Sequence, residues 1–140
     1  MLDFLDSIGS HSGSDDRLKF SPEDAKDTAK KVFGITHLKD FQLSAIRACF
    51  ERSPSLVIRP TGAGKSLCFQ LPAMMKACEG RFVLVISPLV SLMQDQVESL
   101  RKRGIGKHPV VFASPEYLLN MVDSLCEIED KLVLLAVDEV

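Results

Sequence analysis

Thr61-Gly62-Ala63-Gly64-Lys65-Ser66 is the stretch whose residue types and spacing are suited to chemistry. It follows a short apolar run, Leu56–Arg59, read as a strand, and leads into a helical segment. In that context glycines let successive backbone N–H groups turn inward around phosphate oxygens. The helix N-terminus adds partial positive charge. So placed, Lys65 reaches the β- and γ-phosphates of a nucleotide, and the Ser66 hydroxyl coordinates Mg2+. The strict pattern has Gly or Ala where Arg59 stands, so the match is to a relaxed form. An ordinary glycine-rich turn is the alternative, and Gly-Lys-Ser in this setting speaks against it.

The apolar run Leu132–Val137 ends in Asp138-Glu139. A strand that delivers acids to the edge of a sheet complements a phosphate loop. Asp138 holds Mg2+ in that reading, and Glu139 orients or deprotonates the attacking water. Alone, the pair is a weak signal, and solvated acids at a strand end are its commoner explanation; paired with the phosphate loop in one α/β unit it gains weight. Ser87-Pro88-Leu89 and Ser114-Pro115-Glu116 share a layout of strand, Ser, then Pro at a first helical turn. Each offers free N–H groups at the sheet's C-terminal edge, where a phosphate of single-stranded nucleic acid can sit. Plain helix capping explains each equally well.

The elements that must position these residues follow from hydrophobic spacing. Ser21-Pro22-Glu23-Asp24 starts a helix that runs to Phe33 and ends on Gly34. A second helix covers Phe41–Glu51. After Leu56–Arg59, short apolar strands alternate with helices: helix Lys65–Cys78, kinked at Pro72, and strand Phe82–Ser87. Helix Leu89–Arg103 is capped by Gly104; strand Pro109–Ala113, helix Pro115–Glu127 and strand Leu132–Val137 complete the series. Strands apolar on both faces and separated by helices imply an α/β fold, a parallel sheet between helices. Residues 1–20 are rich in Ser, Gly and Asp and read as a disordered tail, leaving 21–140 as the folded part.

The 140 residues are 46% hydrophobic and 26% charged, with net charge −2, the balance of a soluble globular domain. Such a charge excludes gripping nucleic acid by bulk electrostatics, so any contact must come from local groups. No apolar run approaches the ~20 residues that span a bilayer, and Met1–Gly9 lacks the pattern of a secretory signal. Cys49, Cys68, Cys78 and Cys126 are scattered and share no ligand spacing with the histidines, so reduced thiols and no structural metal are expected.

Thr61–Ala73 resembles motif I of RecQ-type DNA helicases, and Val85–Val97 is similar to their motif Ia. Ser114–Leu118 resembles motif Ib, and Ala136–Glu139 the start of motif II. Phe33-Gly34 followed by Leu38, Lys39 and Gln42 is similar to motif 0, with Lys39 in place of the more usual Arg and Asp40 where Pro is common. The resemblance covers residues 28–139, with the motifs in order. It implies a RecA-like P-loop NTPase fold, with ATP and Mg2+ as cofactors. Adenine recognition falls to Lys39 and Gln42, and the phosphates to Thr61, Gly62, Ala63, Gly64, Lys65 and Ser66. The metal falls to Ser66 and Asp138, with Glu139 and Lys65 as catalytic residues. Single-stranded or forked DNA is the implied partner, at Ser87–Leu89 and Ser114–Glu116, with 3′-to-5′ movement as the activity. The implied location is the nucleus in a eukaryote and otherwise the cytoplasm.

The family carries a further strand and helix between motifs Ia and Ib, where only Ile105–His108 stand here. It also continues past motif II to a second motor domain with an arginine finger. The resemblance therefore implies an incomplete sheet with exposed apolar edges, marginal stability, and nucleotide binding at most for this chain alone. The alternatives are a non-catalytic short form that binds DNA or a partner protein, and an unrelated phosphate-loop kinase or ATPase. The ordered motifs argue against the last.

Overall fold

In the computed structural model, which describes residues 18–105 and 109–138, the first helix starts where the sequence places its cap. The Ser21 side chain accepts from the Asp24 N–H at 3.2 Å, Pro22 opens helix α1 (Pro22–Phe33), and Glu23 and Asp24 face the positive end of its dipole. Gly34, at φ 67°, closes the helix, and the Ile35 N–H returns to the Ala29 carbonyl. Of the tail expected over residues 1–20, residues 1–17 lie outside the described residues. Leu18 and Phe20 pack against the core; the Phe20 ring sits 5.6 Å from Phe50, with the Arg47 guanidinium 5.1 Å from its centre.

Helix α2 (Asp40–Phe50) buries Gln42, Ile46, Cys49 and Phe50. The strand expected at Leu56–Arg59 does not form: these residues join no ladder, and Leu56 and Ile58 are 85% and 77% exposed. Pro54 and Pro60 bracket the run and remove two ladder donors. Arg59 turns instead to the ring of Phe41, 5.0 Å from its centroid. The helix expected over Lys65–Cys78 is also shorter. It is helix α3 (Leu67–Met74), broken at Met75 (ψ 147°) and followed by one 3-10 turn, Lys76–Cys78. Pro72 offers no N–H to the preceding turn, so the helix stops after it rather than bending through.

Strand β1 (Phe82–Ile86), helix α4 (Val90–Lys102), strand β2 (Val110–Ala113), helix α5 (Pro115–Glu127), a 3-10 turn and strand β3 (Leu132–Val137) follow the expected alternation. The described strands form one three-stranded parallel sheet in the order β2-β1-β3. Alternation along central β1 explains why it is apolar throughout. Val83 and Val85 join α1, α2, α3 and Leu100 of α4 in one core, while Leu84 and Ile86 join Ala113 and Leu125 of α5 in a second. The fold is thus α/β and RecA-like, a small parallel sheet between helices. Edge strand β3 is only half buried, and its Val137 is 49% exposed.

Cys49, Cys68 and Cys78 are buried free thiols, whereas free Cys126 is exposed. Burial pushes the Cys49 thiol up to about 12, and those of Cys68 and Cys78 up to about 11. Two results are expected. At pH 8 a thiol reagent modifies Cys126 in a fast phase and the other three slowly, because thiolate is the nucleophile. Because the folded-state values are raised, stability is full below the thiol's ordinary value of 9.0 and falls as pH climbs towards 12. Denaturant midpoints should be flat from pH 7 to 8.5 and decline above pH 9. A flat profile to pH 11 would contradict the burial.

Candidate functional site

The phosphate-loop residues Thr61–Ser66 form an open turn at the head of α3. Gly62 and Gly64 stand at φ +84° and +94°, backbone positions that L side chains rarely adopt. One loop amide, that of Ala63, bonds to the Pro60 carbonyl at 3.1 Å. Among the described residues the amides of Gly62, Gly64, Lys65 and Ser66 donate to no protein acceptor, and the Lys65 ammonium makes no ion pair or hydrogen bond. Ser66 is the N-cap of α3, yet its hydroxyl makes no capping bond. Uncommitted donors, one ammonium and a helix N-terminus thus belong to a single exposed loop, the set of groups that an anion-accepting site uses.

Two residues expected at an adenine subsite hold this loop from behind. The Lys39 ammonium donates to the Ala63 carbonyl at 2.7 Å, and the Gln42 amide donates to the Gly64 carbonyl at 2.9 Å. Gln42 is 4% exposed, and its other end accepts from the Lys39 N–H at 2.9 Å. That last bond is the N3 half of a capping box, which the sequence hides because its N-cap is Lys39 rather than Ser or Thr. The carbonyls point back to α2, which leaves the amides of the same peptides facing outward.

Asp138 follows β3 at the C-terminal edge of the sheet, where its N–H extends the ladder to the Ile86 carbonyl at 2.8 Å. Its carboxylate accepts from the Gln96 side chain of α4 at 3.2 Å, and Gln96 in turn accepts from Gln70 of α3 at 3.4 Å. Gln70 lies one helical turn beyond Ser66, so this chain of amides ties the loop's helix to the acid. Sequence reasoning missed Gln70 and Gln96, because polar residues on an amphipathic helix read as a solvated face. Glu139 lies outside the described residues. Ser66 and Asp138 supply a free hydroxyl and a carboxylate, oxygen donors of the kind a hard cation such as Mg2+ takes.

One of the two Ser-Pro turns resolves as a helix cap and the other as a turn ahead of its helix. Ser114 accepts from the Tyr117 N–H at 3.2 Å, with Pro115 opening α5. Ser87 is buried and accepts from the Leu89 N–H at 3.3 Å, and Pro88 lies before the cap of α4 rather than in its first turn. Both turns nonetheless stand on the same sheet edge as Asp138, with Leu89 and Tyr117 exposed.

The profile of the DEAD/DEAH box helicase family matches residues 39–117. ATP-dependent DNA helicase Q1 of Mus musculus is 44% identical over 81 residues, 58% of this chain and 12% of that protein. ATP-dependent DNA helicase Q-like 5 of Arabidopsis thaliana is 40% identical over 112 residues, 64% of this chain and 12% of that protein. ATP-dependent DNA helicase RecQ of Synechocystis sp. is 44% identical over 80 residues, 57% of this chain and 16% of that protein. The chain therefore spans a small part of the length of these relatives.

Proposed function

This chain belongs to the DEAD/DEAH box helicase family, in company with RecQ-type relatives, and we propose that it forms the ATP- and Mg2+-binding face of a 3′-to-5′ DNA helicase motor. The carrying observation is the cradle at Gly62–Ser66. Apart from that of Ala63, its amides and the Lys65 ammonium are uncommitted among the described residues, while Lys39 and Gln42 hold its carbonyls from behind. The Lys65 ammonium is the group that would grip the terminal phosphates, and Ser66 and Asp138 would hold Mg2+. Bound Mg2+ neutralises phosphate charge; the chain's own share is to fix the oxygens around it. Lys39, exposed and with further donors on its ammonium, reads the adenine edge, while buried Gln42 braces the loop. Single-stranded DNA tracks the sheet edge at Ser87–Leu89 and Ser114–Glu116, held by local groups. Such a motor works in the nucleus of a eukaryote or the cytoplasm of a bacterium, and no helix among the described residues is long and apolar enough to cross a membrane.

Titration with a fluorescent ATP analogue and Mg2+ tests the reading. Saturable binding that unlabelled ATP displaces is expected, and the absence of saturation would end it. The alternative, a non-catalytic DNA- or partner-binding short form, predicts oligonucleotide binding with no response to nucleotide.

A further inference from the structure

We propose that Gln96 is a positioning residue for Asp138, fixing the carboxylate so that its free oxygen faces a nucleotide-bound divalent cation. This rests on the nucleotide-binding reading above. Three observations carry it. Gln96 is the side chain that touches the Asp138 carboxylate, donating to Oδ2 at 3.2 Å, and among the described residues Oδ1 has no partner. Its amide is oriented from the other side, where Gln70 of α3 donates to its oxygen at 3.4 Å. An amide has one donor end and one acceptor end, so the pair of contacts admits a single orientation. Asp138 follows edge strand β3, with no further strand beside it among the described residues, and the Gln96 bond is the one that reaches its carboxylate there.

The residue type suits the task. A Lys or Arg at position 96 would also reach Asp138, but it would neutralise the carboxylate and compete with the cation. A neutral amide orients the oxygen and leaves the charge available. The relay also joins three elements at one point: α3, which carries the phosphate loop; α4, which leads from Ser87–Leu89; and β3.

The test measures affinity of the full chain for a fluorescent ATP analogue, with EDTA and across a Mg2+ titration. Partners behind a metal ligand typically contribute 10–100-fold to metal affinity. Gln96→Ala is expected to raise the Mg2+ midpoint about tenfold at the low end of that range, with affinity in EDTA unchanged. Gln96→Arg should raise the midpoint further, and Gln70→Ala less than Gln96→Ala. Loss of affinity in EDTA and in Mg2+ alike would mark Gln96 as merely structural and overturn the proposal. An unchanged midpoint in Gln96→Ala would overturn it too, while leaving nucleotide binding intact. A wild-type chain that binds no nucleotide would overturn the underlying reading and this one with it.

Discussion

Lys65→Ala is expected to weaken binding of a fluorescent ATP analogue by about 10- to 100-fold, with the thermal midpoint unchanged. The magnitude follows from the interaction lost. A hydrogen bond between charged groups contributes about 1.5–3 kcal/mol, and 1.4 kcal/mol is roughly a factor of ten. Stability should not move, because the Lys65 ammonium makes no bond or ion pair among the described residues. Lys65→Arg should recover part of the affinity, since the charge remains but the planar fork fits a compact cradle less well than a point charge. Equilibrium anisotropy beside a melting curve separates the outcomes. A Lys65→Ala chain that binds within threefold of wild type would show that phosphate is held elsewhere. Oligonucleotide binding in the same variant serves as control, because among the described residues the Ser87 and Ser114 turns make no hydrogen bond or ion pair with Lys65.

Local signals were legible where one residue type answers one backbone need. Ser21, Gly34 and Ser114 cap helices as their positions suggest, because an orphan N–H or a left-handed residue has few solutions. Gly62 and Gly64 were legible for the same reason. What failed depended on partners far along the chain. Leu56–Arg59 has the composition of a strand, but a strand exists only beside another, and nothing local reports whether its neighbour is in place. The contacts that shape the site are also distant: Gln42 and Gly64 are 22 residues apart, and Gln96 and Asp138 are 42 apart. A periodic pattern marks Gln96 as polar on an amphipathic helix; only the folded sheet edge brings Asp138 against it. The resemblance singles out Lys39 and Gln42, there as expected adenine readers. Their bonds to the loop carbonyls add that the same pair governs the shape of the phosphate cradle.

That bracing makes Gly64 the most sensitive position in the loop. Its φ is +94°, and a Cβ built there lies 2.6 Å from the Gln42 Nε2. The backbone alone strains an alanine by about 1–3 kcal/mol. The clash adds to it, because Gln42 is buried and bonded at both ends of its amide. To make room Gln42 must release the Gly64 carbonyl, and an unpaired buried amide costs about 1–3 kcal/mol. Gly62 is the internal comparison: its φ is +84°, but nothing lies within 4 Å of an added Cβ. Gly62→Ala therefore carries strain without the clash. Because Thr61, Gly62 and Gly64 are exposed, the loop relieves these costs by changing shape rather than by unfolding the chain. Nucleotide affinity should fall about 100-fold or more in Gly64→Ala, by analogy with the summed costs, and by distinctly less in Gly62→Ala. Melting temperatures should shift only slightly in both. In Gly64→Ala/Gln42→Ala the clash is gone, so the double variant should lose less than the sum of the singles, with a coupling of about 0.5–3 kcal/mol. Equal losses for the two glycines, or strict additivity with Gln42, would mean that the loop is not held by that amide.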